Sequence, residues 1–185
     1  MERELRSLQK ILLRTMNVFV VLLRSVNVGG TGKLPMQDLK SLCEKAGFCD
    51  VQTYIASGNV LLKSKKSEPQ VKATLEASLK EYAGKPVAVL VRTPAEMKGV
   101  LANNPFAHAA PNRAVAIFLD TPPPRDALEN VTGLKAEEIR LGKREIYVNY
   151  GEGMASSKLK IPAAKAGTAR NMNTIAKLAE LAGKL

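Results

Sequence analysis

The stretch VQTYIASGNVLLK, Val51 to Lys63, reads as a strand hairpin. Val51 to Ala56 and Asn59 to Lys63 are rich in β-branched and apolar residues, and Ser57-Gly58 between them is the kind of turn that joins antiparallel neighbours. Upstream, Asn17 to Arg24 is almost wholly β-branched or apolar, as expected of a central strand covered on both faces. A glycine-rich segment, Val28 to Leu34, leads through Pro35 into Met36 to Ala46. There Met36, Leu39, Leu42 and Cys43 recur at helical spacing, and Gly47 supplies the stop. Downstream of the hairpin, Val71, Leu75, Leu79 and Tyr82 mark a helical face, Gly84 ends it, and Val87 to Val91 is a fourth strand.

The order is therefore βαββαβ, which predicts an α+β ferredoxin-like plait: a four-stranded antiparallel sheet with two helices packed on one face. The rest of the chain repeats the rhythm. After a short helix from Pro94 to Leu101 and a loop from Asn103 to Asn112, Ala114 to Leu119 reads as a strand and Pro124 to Val131 as a helix. Ile139 to Leu141 and Glu145 to Tyr150 form a hairpin turned at Gly142-Lys143, and Ile161 to Ala166 is a further helix. The last strand is expected to be missing or reduced to Gly167 to Arg170, before a final helix from Asn173 to Gly183. The expectation is tandem ferredoxin-like plaits, the second degenerate. Residues 1–15 form an N-terminal extension, 16–92 the first subdomain, and 93–185 the second with its C-terminal helix. Although Arg3, Arg6, Lys10 and Arg14 precede an apolar run, that run ends at Arg24 without a small-residue cleavage site, so it reads as a strand and not a signal peptide.

Composition bounds the function. With 28 Lys and Arg against 17 Asp and Glu, the formal net charge of +11 favours partners that carry phosphate, either small ligands or a nucleic-acid backbone. No run approaches the ~18 apolar residues of a membrane span, so a cytoplasmic protein with no membrane partner is expected. Cys43 and Cys49 lack metal or redox spacing, and the single histidine, His108, leaves no set for a His-rich metal site; no cofactor is expected.

Four polar clusters are candidates for chemistry. The first, Arg24-Ser-Val-Asn-Val-Gly-Gly-Thr-Gly-Lys33, lies between strand and helix, where small residues let backbone amides approach an anion. It departs from a P-loop, since Asn27 stands at the first required glycine and Leu34 replaces the magnesium-binding Ser or Thr. The second, Tyr54 with Ser57, Gly58 and Asn59, has no base to activate it, and turn chemistry accounts for the same residues. The third is the loop Asn103 to His108. The fourth joins Ser156-Ser157-Lys158 to Thr168, Arg170, Asn171, Asn173 and Thr174 at the start of the last helix, where one residue is needed as a cap and the surplus could hold a phosphate or carboxylate. RNA-type stacking is not supported: the strand Asn59 to Lys63 carries no aromatic residue.

From Met16 onward the chain resembles the bacterial family called domain of unknown function 1697. The likeness is carried by Leu23-Arg24-Ser-Val-Asn27-Val-Gly29-Gly30, Pro35-Met-x-x-Leu39, Tyr54-Ile-Ala-Ser57-Gly58-Asn59-Val60, Asn104-Pro105-Phe106, Ser157-Lys158-Leu159 and Thr168-x-Arg170-Asn171. Ser25 stands where that family commonly has glycine, and Met172 where it commonly has tryptophan. The resemblance implies tandem plait-like subdomains and no particular activity. The leading expectation is a non-catalytic anion-binding module with a composite site formed by Arg24, Asn27, Gly29, Gly30 and Lys33 with Arg170, Asn171 and Asn173. Tyr54, Ser57, Asn59 and Lys158 are further candidate ligand contacts. The alternatives are an enzyme acting on a phosphorylated or carboxylated small molecule, with Lys33 or Lys158 as electrostatic stabiliser and Ser57 or His108 in proton transfer, and a structural or protein-interaction module.

Overall fold

A computed structural model describes residues 16–26 and 33–185. The expected extension, residues 1–15, lies outside the described residues. The chain divides into two compact units, one running to Pro94 and including Leu181–Leu185, the other spanning Ala95–Glu180.

In the first unit the hairpin forms as read. β1 (Asn17–Leu23), β2 (Cys49–Tyr54), β3 (Asn59–Ser64) and β4 (Val89–Arg92) make one antiparallel sheet in the order β2-β3-β1-β4. β1 is central because it buries both faces. Phe19, Val21 and Leu23 point into a core with Val60, Leu62, Val89 and Val91, while Val20, Leu22, Leu61 and Leu90 on the opposite face are buried too.

Two helices cover the first of these faces. α1 (Met36–Lys45) contributes Leu39 and Cys43, and α2 (Glu68–Ala83) contributes Val71, Leu75 and Leu79. Each such side chain, fully buried, is worth about 1.5–3 kcal/mol of transfer free energy. A capping box between Ser67 and Gln70 starts α2, and Gly84, at φ 67, ends it in the left-handed conformation. Lys72 and Glu76 then tie the helix to the sheet edge: Lys72 Nζ donates to the Val89 carbonyl (2.6 Å), and Glu76 Oε1 accepts from the Val89 amide (3.0 Å).

The second unit repeats the strand order. β5 (Ala114–Phe118), β6 (Glu138–Leu141), β7 (Glu145–Asn149) and β8 (Thr168–Asn171) form an antiparallel sheet ordered β6-β7-β5-β8. Before it comes α3 (Pro94–Ala102), seated on this unit by the Tyr147 hydroxyl, which donates to the Val100 carbonyl at 3.0 Å, and by a 3.1 Å ion pair between Arg144 and Glu96. After it comes α4 (Met172–Ala182).

Two expectations fail here. Pro124 to Val131 is not a helix but a chain of turns, with Ala127 N bonded to Pro124 O and Glu129 N to Asp126 O. Only Ala127 is buried in that stretch, so no apolar stripe repays helix formation. Ile161 to Ala166 shrinks to a single 3-10 turn at Pro162–Ala164. The last strand, by contrast, is present as the short element expected near Gly167 to Arg170: β8 pairs with β5 from Thr168 opposite Phe118 to Asn171 opposite Val115. The face bearing Val115, Ile117, Ile146 and Val148 is thus covered by irregular chain, through Ile161 and Leu159, where the first unit uses helices.

Candidate functional site

A cleft of about 780 Å³ opens in the first unit where β1 ends. One bank is Arg24, Ser25 and Val26, the other the segment from Lys85 to Ala88 before β4, and the Arg24 amide joins them by donating to the Ala88 carbonyl at 2.9 Å. Lys33 and Leu34, ahead of α1, and Leu79 and Tyr82, near the end of α2, complete the lining. Ser25 takes a positive φ of 54, which turns the chain out of the strand at the cleft mouth. Gly84 does the same at the opposite bank, bringing Lys85 round after the last turn of α2.

Among the described residues the cleft's charged side chains have one sign. Arg24, Lys33 and Lys85 line it, and no Asp or Glu does so among the described residues. Lys33 and Lys85 are exposed and Arg24 half-buried, so all three charges stand at the solvent boundary, where a small anion arrives without full desolvation of its partners. Leu79, Pro86 and Val87 give the same cleft an apolar wall.

Tyr82 differs from its expected place. It continues the Val71, Leu75, Leu79 series by sequence, yet it is 49% exposed because the helix runs past the edge of the core. Its hydroxyl donates to Asp38 of α1 at 2.8 Å. That bond to the carboxylate pushes the phenol pKa above its ordinary value.

The other candidate residues do local work. Asn59 is buried and its Nδ2 donates to the Tyr54 carbonyl (3.0 Å) and to Ser57 Oγ (2.8 Å), so Tyr54, Ser57 and Asn59 clamp the hairpin turn. Gly58 sits in that turn at φ 75, against β1: an added Cβ would come within 2.8 Å of Leu23 Cβ and overlap Val26. The Leu23 amide donates to its carbonyl at 2.8 Å. The turn thereby buttresses the end of β1 from which the cleft starts.

Arg170 belongs to the second unit and is only 8% exposed. Its guanidinium donates to Thr168 Oγ1 and to the Ala169 carbonyl, both at 2.8 Å, and burial pulls its pKa down to about 10, which leaves it charged at neutral pH. Asn171 Oδ1 accepts from the Thr174 amide at 2.9 Å, the role of an N-cap for α4, and Asn173 is exposed beside it. Met172, which stands where the resembled family commonly has tryptophan, is 5% exposed and so fills a core position.

Lys158 is exposed, and the chain around it fastens to the turn region by paired bonds between Thr132 and Lys160. Ser157 Oγ donates to Glu137, and this bond is the main cause of the lowered Glu137 pKa. In the NPF loop, Asn104 Oδ1 accepts from the Phe106 amide, Phe106 is buried, and exposed His108 sets its ring edge-on to Phe106 at 6.4 Å. Burial pushes the Cys43 thiol up to about 12, which keeps it protonated and unreactive. Among the described residues no group of three His, Cys, Asp or Glu could hold a metal ion, and no helix is long and apolar enough to cross a membrane.

Of the first cluster, then, Arg24 and Lys33 share one cleft, while Asn27, Gly29 and Gly30 lie outside the described residues. Lys85 and Tyr82 were missed as site residues. The only local signal was Gly84-Lys85-Pro86, which reads simply as a helix stop.

The family model described as "Protein of unknown function (DUF1697)" matches residues 16–147. The chain belongs to this family. Its match takes in the whole cleft of the first unit and, in the second, ends within β7. A solved structure, that of conserved bacterial protein SP0830 from Streptococcus pneumoniae, is similar to this member of the DUF1697 family with a TM-score of 0.75 and 24% identity, over 90% of this chain and 99% of that one. At that identity the likeness speaks for the fold alone. No curated protein matches the chain.

Proposed function

We propose that the protein is a non-catalytic anion-binding module, that its two sheets are tandem ferredoxin-like plaits of which the second is degenerate, and that the first unit takes a phosphate-bearing ligand in its cleft. The observation that carries this reading is the convergence of Arg24, Lys33 and Lys85 on one concavity that no carboxylate lines among the described residues. Three cations from two separate connections, Arg24 and Lys33 between β1 and α1 and Lys85 between α2 and β4, are brought to one place by the fold, against a chain-wide net charge of +11. Arg offers a planar fork of donors and the two lysines point charges, a combination suited to a dianionic oxyanion group. Two free cysteines suit the reducing cytoplasm as its setting. Arg170 and Asn171 are left out of the site, because Arg170 is buried with its Nη1 donating within β8 and Asn171 caps the start of α4.

The test is equilibrium dialysis of the full chain against radiolabelled inorganic phosphate at about 50 mM salt. The double variant Lys33→Ala/Lys85→Ala should weaken binding about tenfold or more, equivalent to about 1.4 kcal/mol or beyond. Arg170→Ala should leave it unchanged. Equal binding by wild type and the lysine double variant would contradict the reading, as would absence of phosphate binding at low salt. Competition by a single-stranded oligonucleotide separates the two sources of phosphate. Displacement that falls steeply between about 50 and 200 mM salt would identify the nucleic-acid backbone as the ligand.

A further inference from the structure

Tyr82 stands between two depressions. On one side is the cationic cleft, and on the other a groove of about 560 Å³ between α1 and α2, lined by Asp38, Ser41, Leu42, Lys45 and Ser78 among others. Its ring is half exposed yet not loose: the hydroxyl is tied to Asp38 on the neighbouring helix, so the ring is held across the gap between α1 and α2. An aromatic face kept in solvent at the edge of a concavity is a surface on which a flat group can stack, at little entropic cost because the ring is already oriented.

Size points the same way. Pockets for small organic ligands run to ~300–1,000 Å³, so a cleft of about 780 Å³ has room for far more than a bare oxyanion. Beyond the three cations, its wall is supplied by Leu79, Pro86 and Val87, next to Tyr82. A lining that combines three cations with apolar side chains and the Tyr82 ring calls for a ligand that carries both an anionic and an apolar part.

We propose that Tyr82 is the specificity-determining residue of the cleft, and that the ligand is a phosphate ester whose organic part is planar and aromatic. The phosphate lies among Arg24, Lys33 and Lys85, and the planar group lies on the Tyr82 ring. This rests on the anion-binding reading of the same cleft.

The test compares three probes on the full chain: inorganic phosphate, phenyl phosphate and cyclohexyl phosphate, the last matching phenyl phosphate in size but not in planarity. Wild type should bind phenyl phosphate about three- to tenfold more tightly than either of the others, the range expected of one aromatic stack. Tyr82→Ala should abolish that preference while leaving the affinity for inorganic phosphate within twofold, and Tyr82→Phe, which keeps the ring, should retain most of it. Circular dichroism checks that both variants are folded. Equal affinity of wild type for the three probes, or a preference that survives Tyr82→Ala, overturns the inference and leaves the anion site standing. Failure of inorganic phosphate to bind at all overturns the anion site itself, and the inference with it.

Discussion

The two sheets share a strand order, β2-β3-β1-β4 and β6-β7-β5-β8, yet they finish their central strands differently. At the end of β1 the Arg24 amide still reaches the Ala88 carbonyl at 2.9 Å, and around that bond the two segments line an open cleft. At the end of β5 the corresponding residue before β8 is Gly167, packed so closely that an added Cβ would stand 2.6 Å from the Phe118 carbonyl oxygen and 2.8 Å from Ile117 Cγ2. Helices provide one difference, since α2 ends at Ala83 and leaves several residues to swing out before β4, whereas a single 3-10 turn delivers the chain directly to β8. The lesson is that strand order specifies the scaffold and the connections specify whether a site exists on it.

Glycine substitutions give the largest expected contrast between the units. Gly133, at φ 69, lies against the second unit's Ser157–Lys160 strap, and an added Cβ would overlap the Lys158 carbonyl. Gly133→Ala should cost about 2–5 kcal/mol, from a left-handed backbone penalty of ~1–2 and overpacking of ~1–3. Gly84, at φ 67, meets nothing within 4 Å, so Gly84→Ala should cost only the backbone share, about 1–2 kcal/mol. Urea unfolding of both variants measures the difference, and equal costs would mean the strap is not tightly seated.

A smaller effect concerns acid. Glu137 has its pKa lowered chiefly by the Ser157 hydroxyl and next by the Lys135 amide. A carboxylate depressed in the folded state stabilises above its unfolded pKa, and that contribution is lost as pH falls through the folded value. Glu137→Gln should therefore lower stability at pH 7, change it little at pH 3, and so flatten its dependence on pH below about pH 4.5. Unfolding midpoints compared at pH 3 and pH 7 would show this, and parallel losses in variant and wild type would remove Glu137 from the strap's account.

The first unit was legible because its apolar residues sit at the periods their elements require: Val71, Leu75 and Leu79 at helical spacing, and an unbroken run in β1. The second unit misled for opposite reasons. Pro124 to Val131 contains helix-compatible residues but buries only Ala127, and β8, with the sequence TARN, hides a real strand behind Thr168 and Arg170, polar residues that are nonetheless buried. At the site, the glycine-rich connection pointed to Arg24 and Lys33. Lys85 and Tyr82 join them only through the packing of α2 against the sheet, a tertiary event with no local signature. Surplus polarity around Arg170 read as a binding site because a sequence does not reveal that the partners are already taken.

The central claim is that anion recognition belongs to the open end of the first sheet and not to the second unit. Titrating inorganic phosphate into the 15N-labelled full chain and following its amide resonances tests this directly. Shifts should concentrate at Ser25, Val26, Lys33, Leu34 and Tyr82 through Ala88. Shifts confined to Lys158 and Arg170 through Thr174, or no shifts at any phosphate concentration, would contradict the account.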